Sequence, residues 1–264
     1  MATPEILAAL ASGVLVGLSL GVIGGGGSVL AVPLMVYVIG LSSPHVAIGT
    51  SAVAVAASAL INLLGHAHSR NVKWPCASVF AFAGIAGAAL GAQFGKAVDG
   101  TKLLAGFGVL MIVIAALMQR PRRGGDNADI RLDRSTARSL LPRLAGTGFG
   151  VGALSGFFGI GGGFLIVPGL VNATSMPLLN AVGSSLVAVT AFGATTAVSY
   201  ALSGLVDWSI AGLFILGGAM GGFAGIRIAG RLAAHKRALS VVFSCVVAVV
   251  GIYVVAKGLI AVTR

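Results

Sequence analysis

Acidic side chains are scarce in this sequence, in which only 6 of 264 residues are Asp or Glu. Glu5 stands at the start of the first hydrophobic stretch, and no other carboxylate lies inside any of the stretches given below. Ion and proton pathways in membranes commonly use buried carboxylates. The scarcity therefore argues against a carboxylate proton relay and against a cation site built from carboxylates.

Charge of either sign is also rare, since charged residues make up 9% of the sequence and hydrophobic residues 57%. This balance excludes a water-soluble globular protein. Most hydrophobic stretches have the roughly 20 residues that a helix needs to cross a bilayer, and they do not alternate in polarity as membrane strands do. The sequence therefore predicts an all-α integral membrane protein. The stretches are residues 5–23, 46–64, 75–95, 103–119, 146–170, 181–202, 209–226 and 238–260.

Signatures of cofactors and catalysis are missing as well. Cys76 and Cys245 are the two cysteines, and because they lack Cys-x-x-Cys spacing no metal site is predicted. The glycine runs match neither the dinucleotide-binding pattern nor a Walker loop. The segment from Gly17 through Ser19 to Gly21 spells Gly-x-Ser-x-Gly, but it lacks the strand–turn–helix context of a hydrolase. We therefore predict no cofactor, no metal and no enzymatic activity.

The 17 Lys and Arg residues give a net charge of +11, and many of them lie between two hydrophobic halves. Loops rich in Lys and Arg stay in the cytoplasm, so the segment 120–145 is predicted to be a cytoplasmic linker. Charge concentrated in this way does not indicate a nucleic-acid partner. The arginines of the linker are Arg120, Arg122, Arg123, Arg131, Arg134, Arg138 and Arg143.

The 41 glycines reveal an internal repeat. Residues 13–33 return as residues 148–168, with several glycines and the final proline at one constant offset. We predict a duplicated unit, with residues 1–119 as the first repeat, 120–145 as the linker and 146–264 as the second repeat. After a slip of one residue, further pairs follow in order: Gly49-Thr50-Ser51 with Gly183-Ser184-Ser185, Val72-Lys73-Trp74 with Val206-Asp207-Trp208, and Gly84, Gly87 and Gly91 with Gly218, Gly221 and Gly225.

The charges of the short loops indicate how the two halves are oriented. An odd number of segments per half places Arg70, Lys73 and the basic cluster 227–237 on the same side as the linker, whereas an even number leaves that cluster outside. We therefore predict inverted-topology repeats, with about 8–10 membrane segments broken at glycine-rich runs and with both termini in the periplasm. Residues 28–40 and 163–170 are short enough either to cross the membrane or to re-enter it.

The two glycine runs are the candidate substrate site. Glycine runs interrupt helices, and a restarted helix, at Ser28 or Phe164, points unpaired N–H groups toward any buried anion. The alternative is that glycine only permits close helix packing, which we favour for glycines spaced at three or four. The substrate-binding prediction comprises Gly24, Gly25, Gly26, Gly27, Ser28, Gly161, Gly162 and Gly163, together with the hydroxyl groups of Thr50, Ser51, Ser184 and Ser185.

Other polar residues within the hydrophobic stretches are candidates for coupling or for support of the site. Asn62 and His66 occupy the positions of Thr196 and Tyr200 in the other half, and Arg227 is the basic residue nearest a membrane face. The alternatives are interhelical hydrogen bonds for the first four and snorkelling for the arginine. The histidines that could titrate near neutral pH are His45, His66 and His68.

The ordered motifs resemble the sulfite exporter TauE/SafE family over both halves of the chain. The resemblance implies a permease of the bacterial inner membrane for sulfur-containing anions such as sulfite or sulfoacetate, often working as an exporter. His66 stands where the second half has the more family-like Tyr200, and Lys73 stands opposite the acidic Asp207. The two halves are therefore chemically unequal.

The predicted function is a secondary transporter, an exporter of small sulfur-containing oxyanions, which works by alternating access and holds the anion at the glycine-rich breaks. An anion channel or a permease for another small organic anion is the alternative. The predicted partners are the substrate anion and the lipid bilayer, and a homo-oligomer is compatible with the sequence.

Overall fold

The structure is a computed structural model that describes residues 3–69, 71–119, 134–159, 163–232 and 236–262. Its regular elements are all helices in these ranges, which confirms the predicted all-helical class. They are α1 (Thr3–Ile23), the 3-10 segment (Gly24–Leu30), α2 (Ala31–Tyr37), α3 (Pro44–His68), α4 (Trp74–Ala97), α5 (Gly100–Gln119), α6 (Arg134–Phe158), α7 (Gly163–Thr174), α8 (Leu178–Ala201), α9 (Trp208–Leu232) and α10 (Lys236–Val262).

Helix α1 ends where the first glycine run begins, and the chain turns back on itself there. Gly24 has a φ of 74°, a left-handed conformation that glycine adopts at little cost. The 3-10 segment that follows is buried, and Gly27 packs against Ser19 and Leu20 of α1. The α-helix resumes at Ala31, three residues later than the predicted start at Ser28. Pro33 lies in the first turn of this helix, where proline is tolerated.

The single hydrophobic stretch 146–170 is divided between two helices. Helix α6 begins at Arg134, within the predicted linker, and ends at Phe158, while α7 begins at Gly163. Gly159, between them, has a φ of 67°. It is the repeat counterpart of Gly24, so the chain leaves the helical conformation at equivalent positions of the two halves.

Glycine faces hold the outer helices in two close pairs, each made of one helix from each half. In α1 and α9, a side chain on Gly17 would overlap the backbone of Gly218, and one on Gly221 would overlap Val14. In α4 and α6, the glycines contact the facing backbone in the same way, and both pairs run parallel. Backbones can approach this closely only where side chains are absent.

Helices α3 and α8 lie at the centre and run antiparallel. Gly49, near the start of α3, faces Leu205 beyond the end of α8, and Gly193 faces Ala56 in the middle. Helices α5 and α10 are also antiparallel, since Gly108 faces Gly251 and Gly258 faces Ala105. These two pairs complete the packing between the halves.

The outer surface suits a bilayer. Six stretches of the described chain are long and apolar enough to span a membrane: Thr3–Tyr37, Pro44–His68, Trp74–Ala97, Gly100–Leu117, Asn180–Ala201 and Trp208–Ile228. Large apolar side chains such as Phe82, Phe94 and Met220 point outward, and each is at least 67% exposed. Exposed apolar surface of this extent is stable in lipid and costly in water. The chain is therefore a multi-pass membrane protein.

Candidate functional site

The two helix breaks meet in the interior. A Cβ atom on Gly25 would lie 2.5 Å from the Gly163 Cα atom, so the two backbones are in direct contact. Gly25 belongs to the buried 3-10 segment, and Gly163 is the buried first residue of α7. The first half therefore touches the second at the glycine-rich segments. Gly161 and Gly162 of the predicted cradle lie outside the described residues.

Polar groups of the first break bind protein atoms in this conformation. The Gly25 N–H donates to Ser185 Oγ of α8 at 3.2 Å, and the Ser28 hydroxyl donates to the Gly25 carbonyl at 2.9 Å. Ser185 Oγ in turn donates to the Val182 carbonyl at 2.7 Å. Predicted site residues from both halves thus come together here, and the Gly25 N–H is paired with a neutral hydroxyl group.

Thr50 and Ser184 lie apart from this junction and bind interhelical loops. Thr50 Oγ1 accepts a hydrogen bond of 2.9 Å from the backbone N–H of Asp207, immediately before α9. Ser184 Oγ accepts one of 2.9 Å from the backbone N–H of Lys73, immediately before α4. Each hydroxyl therefore binds the start of a helix in the opposite half of the chain.

The glycine that precedes each of these residues brings the loop close. A Cβ atom on Gly49 would overlap the Leu205 carbonyl oxygen, and one on Gly183 would lie 2.7 Å from the Asn71 carbonyl oxygen. The Gly-Thr/Ser pair of each half thus contacts the Val-x-Trp motif of the other half, so the same contact occurs twice in the protein. The contact explains their common occurrence in both halves.

A row of buried polar groups follows α3 toward its end. Ser58, Asn62 and His66 are fully or almost fully buried at successive four-residue steps. His66 Nε2 lies 3.2 Å from the Gly21 carbonyl oxygen, which belongs to the last turn of α1 and so has no partner within that helix. Asn62 Nδ2 donates to the Ser58 carbonyl at 2.9 Å. Ser58 Oγ, Asn62 Oδ1 and His66 Nδ1 have no partner within the described part of the chain.

A second row lies on α8, at the equivalent positions. Thr196 and Tyr200 are fully buried, and their hydroxyl groups have no partner among the described residues. Ser199 Oγ and, on α6, Ser155 Oγ are also buried without a partner there. Buried polar groups are almost always hydrogen-bonded, so an unpaired set indicates a place for water or a ligand.

The structure places the remaining predicted residues as follows. Ser51 Oγ donates to the Ile48 carbonyl at 2.9 Å, and Gly26 and Gly27 are buried in the 3-10 segment. Arg227 is exposed near the end of α9 and His68 at the end of α3, so neither reaches the junction. His45 Nδ1 is buried without a partner in the described chain, at the start of α3.

A cavity of about 500 Å³ between α1, α2, α9 and α10 has the wrong chemistry for an anion. Apolar side chains dominate its lining, with Ser19, Tyr37 and Tyr253 as its polar members. An anion would lose its hydration there without gaining enough donors. The candidate site is therefore the glycine junction with its two polar rows.

Sequence reasoning missed Ser58, Ser155, Ser199 and Lys96. Ser199 could have been found, because it follows Thr196 by three residues on the same helical face. Lys96 could not, since its contacts are with a helix more than 100 residues later: Lys96 Nζ donates to the Ser199 carbonyl at 3.2 Å and to Ser203 Oγ at 3.0 Å.

Comparisons with known proteins agree with this architecture. The family model described as "Sulfite exporter TauE/SafE" matches residues 9–254. A "Probable membrane transporter protein" of Xylella fastidiosa (strain 9a5c) is 48% identical over 255 residues, which cover 97% of each chain. The "Probable membrane transporter protein YunE" of Bacillus subtilis (strain 168) is 26% identical over 254 residues, which cover 90% of this chain and 92% of the relative. No solved structure gives a significant match.

Proposed function

Because this chain belongs to the sulfite exporter TauE/SafE family, we propose that it exports small sulfur-containing oxyanions such as sulfite or sulfoacetate. The chain is a membrane transporter by its family and by its apolar helices. The observation that carries the proposed substrate class is the contact of two buried glycine segments, Gly25 against Gly163. No carboxylate is buried in the described residues, so the interior offers donors without a competing negative charge.

Alternating access fits the way in which the halves are paired. We propose that they are inverted-topology repeats, with residues 1–119 and 146–264 as the units and the Arg-rich segment on the cytoplasmic side. Equivalent helices of inverted repeats run in opposite directions, whereas those of same-direction repeats run in the same direction. The antiparallel pairs α3 with α8 and α5 with α10 support the inverted arrangement. Rocking of one half against the other would then open the junction to each side in turn.

The anion would take the place of a hydroxyl group at the junction. In this structure the two halves are in contact, and the Gly25 N–H donates to the neutral Ser185 Oγ. Hydrogen bonds to a charged acceptor contribute about 1.5–3 kcal/mol each, against about 0.5–1.5 kcal/mol for a neutral pair. An oxyanion would therefore compete for the Gly25 N–H once the halves separate, while the Ser185 hydroxyl keeps its hydrogen bond to the Val182 carbonyl.

The proposal is tested by transport into liposomes that contain the purified chain. Saturable, counter-substrate-dependent movement of sulfite or sulfoacetate is expected, and steady conductance at fixed potential would indicate a channel instead. Gly26→Val is expected to abolish transport because it adds bulk to the buried 3-10 segment. Gly212→Val is the matched control, since a Cβ at Gly212 meets no atom within 4 Å. Wild-type liposomes that move neither anion would refute the proposal.

A further inference from the structure

Lys96 lies where α4 ends beside the end of α8, at a place that no motif of the sequence marks. Its side chain is half-buried, and the Nζ atom binds the Ser199 carbonyl and Ser203 Oγ. The same Nζ lies 5.9 Å from the centre of the Tyr200 ring. The ammonium group therefore sits against the polar row of α8, between exposed Ser203 and buried Tyr200.

The charge of Lys96 is uncompensated within the part of the chain that the structure describes. Its contacts there are with a carbonyl, a hydroxyl and an aromatic ring, and no ion pair joins it to a carboxylate. An ammonium group has three donors, so the two observed hydrogen bonds leave one N–H for another acceptor. A cation held partly out of water without a counter-charge attracts an anion more strongly than an exposed lysine does.

Hydroxyl groups without partners lie on the residues that Lys96 contacts and one turn earlier on α8. The hydroxyl groups of Tyr200 and Thr196 are fully buried and unpaired among the described residues, and Ser199 Oγ is unpaired as well. Residues 196, 199 and 200 share one face of α8, because helix positions three and four apart lie side by side, and Ser203 lies in the turn just beyond the end of the helix. The row thus leads from the end of the helix into the interior.

From this geometry we propose a second anion site, in which Lys96 Nζ and the unpaired hydroxyl groups of Ser199 and Tyr200 bind a small oxyanion on its way to or from the glycine junction. The identity of the anion at this second site rests on the proposed function. Helix α5 begins directly after α4 and leads to residue 119 before the Arg-rich segment, so this site opens at the face opposite that segment. The second half has no counterpart to this charge, because the repeat partner of Lys96 is Gly230.

The first test measures anion binding, independently of transport. The unfolding midpoint of the full chain in detergent is followed against sodium sulfite, and in parallel against sodium sulfate, at constant ionic strength. Lys96→Gln is expected to need at least about tenfold more sulfite for the same stabilisation, since a charge-assisted hydrogen bond is lost. Lys96→Arg keeps the charge and should shift the dependence far less.

Two further variants separate the site from general effects. Lys102→Gln removes one exposed positive charge from the same end of the protein and is expected to leave the sulfite dependence unchanged. Tyr200→Phe removes a hydroxyl that binds nothing within the described chain, so folding is preserved while about fivefold affinity is lost. If Lys96→Gln is unstable, Tyr200→Phe still decides the question.

The outcomes are distinct. Equal sulfite dependence in the wild type, Lys96→Gln and Tyr200→Phe overturns the second site, as does a wild type that neither sulfite nor sulfate stabilises. If Lys102→Gln weakens stabilisation by sulfite as much as Lys96→Gln does, the effect is one of surface charge, and the second site is overturned as well. In liposomes, Lys96→Gln should raise KM for sulfite about tenfold with kcat changed less than about twofold, as expected for lost uniform binding. Lys96-dependent stabilisation without any transport would leave the site standing and refute the proposed function.

Discussion

At the scale of single residues, the first helix break depends on a side chain from the other half. A backbone N–H released by a broken helix has no water to bind inside a membrane, so protein must supply the acceptor. Ser185 of α8 supplies it for Gly25, and His66 of α3 binds the carbonyl oxygen of Gly21 one turn earlier. Side chains from both central helices, α3 and α8, therefore stabilise the break in the first helix.

Ser185→Ala should destabilise the folded protein by about 1–3 kcal/mol, because the Gly25 N–H would be buried without an acceptor. Thermal or denaturant unfolding in detergent measures the loss. Thr190→Val is the matched control, since Thr190 Oγ1 binds the Leu186 carbonyl within the same helix and joins no other element. Equal stabilities of the two variants would contradict the role assigned to Ser185.

At the scale of helices, glycine decides which faces can pair. Gly17→Ala in α1 should destabilise the protein by about 1–3 kcal/mol, because the new methyl group would overlap the backbone of Gly218 in α9. Gly212→Ala, also in α9, should leave stability unchanged or slightly raised, since a Cβ there meets no atom within 4 Å. Measuring the free energy of unfolding of the two purified variants compares the same substitution at a tightly packed position and at an unobstructed one. Similar stabilities of the two variants would contradict the role assigned to packing at Gly17.

The loop contacts form a second feature at this scale. Thr50→Val keeps the shape of the side chain but removes the acceptor of the Asp207 N–H. We expect amide exchange at residues 205–209 to become about fivefold faster, in line with the loss of about 1 kcal/mol. Hydrogen–deuterium exchange followed by mass spectrometry reports this.

Ser184→Ala provides the matched control for that measurement. It should accelerate exchange around Lys73 and leave the 205–209 segment as it is in the wild type. Acceleration of both loops by either variant would show that the two contacts are not independent.

These elements show how far the sequence alone could lead. Hydrophobic length predicted the all-helical class, because bilayer thickness dictates the length of a spanning helix, whereas the number of membrane segments and the duplication stay predictions. The hydroxyl groups of the Gly-Thr/Ser-Ser motif were predicted to bind the substrate, and this stays a prediction. Thr50 binds the start of a helix in the other half. The partner could not be predicted, because contacts across more than 100 residues leave no local periodicity. For the same reason the extent of the 3-10 segment, which depends on packing around Gly25, escaped prediction.

At the scale of the whole molecule, the two unpaired polar rows point to opposite faces. Pro44, at the start of α3, lies against Gly100, so the Ser58 to His66 row leads away from that face. Helix α8 runs the other way, and its row leads toward Lys96 at that same face. The glycine contact between Gly25 and Gly163 lies between the two halves that carry these rows. In the proposed alternating access, each row would lead from one face of the protein toward this junction.

The proposed inverted arrangement of the two halves makes a prediction that does not depend on the substrate. His68 and Leu202 occupy equivalent positions of the repeat, and both side chains are exposed. With Cys76 and Cys245 replaced by serine, single cysteines at these positions should react with a membrane-impermeant maleimide from opposite sides. Leu202→Cys should label in intact cells, and His68→Cys only after the inner membrane is opened. Same-direction repeats would place both cysteines on one side of the membrane. That result would contradict the proposed alternating access, which needs the two polar rows to lead to opposite faces. Opposite labelling, in contrast, would show that Lys96 lies at the periplasmic face. Lys96 binds Ser199 and Ser203, which lie beside Leu202 at the end of α8.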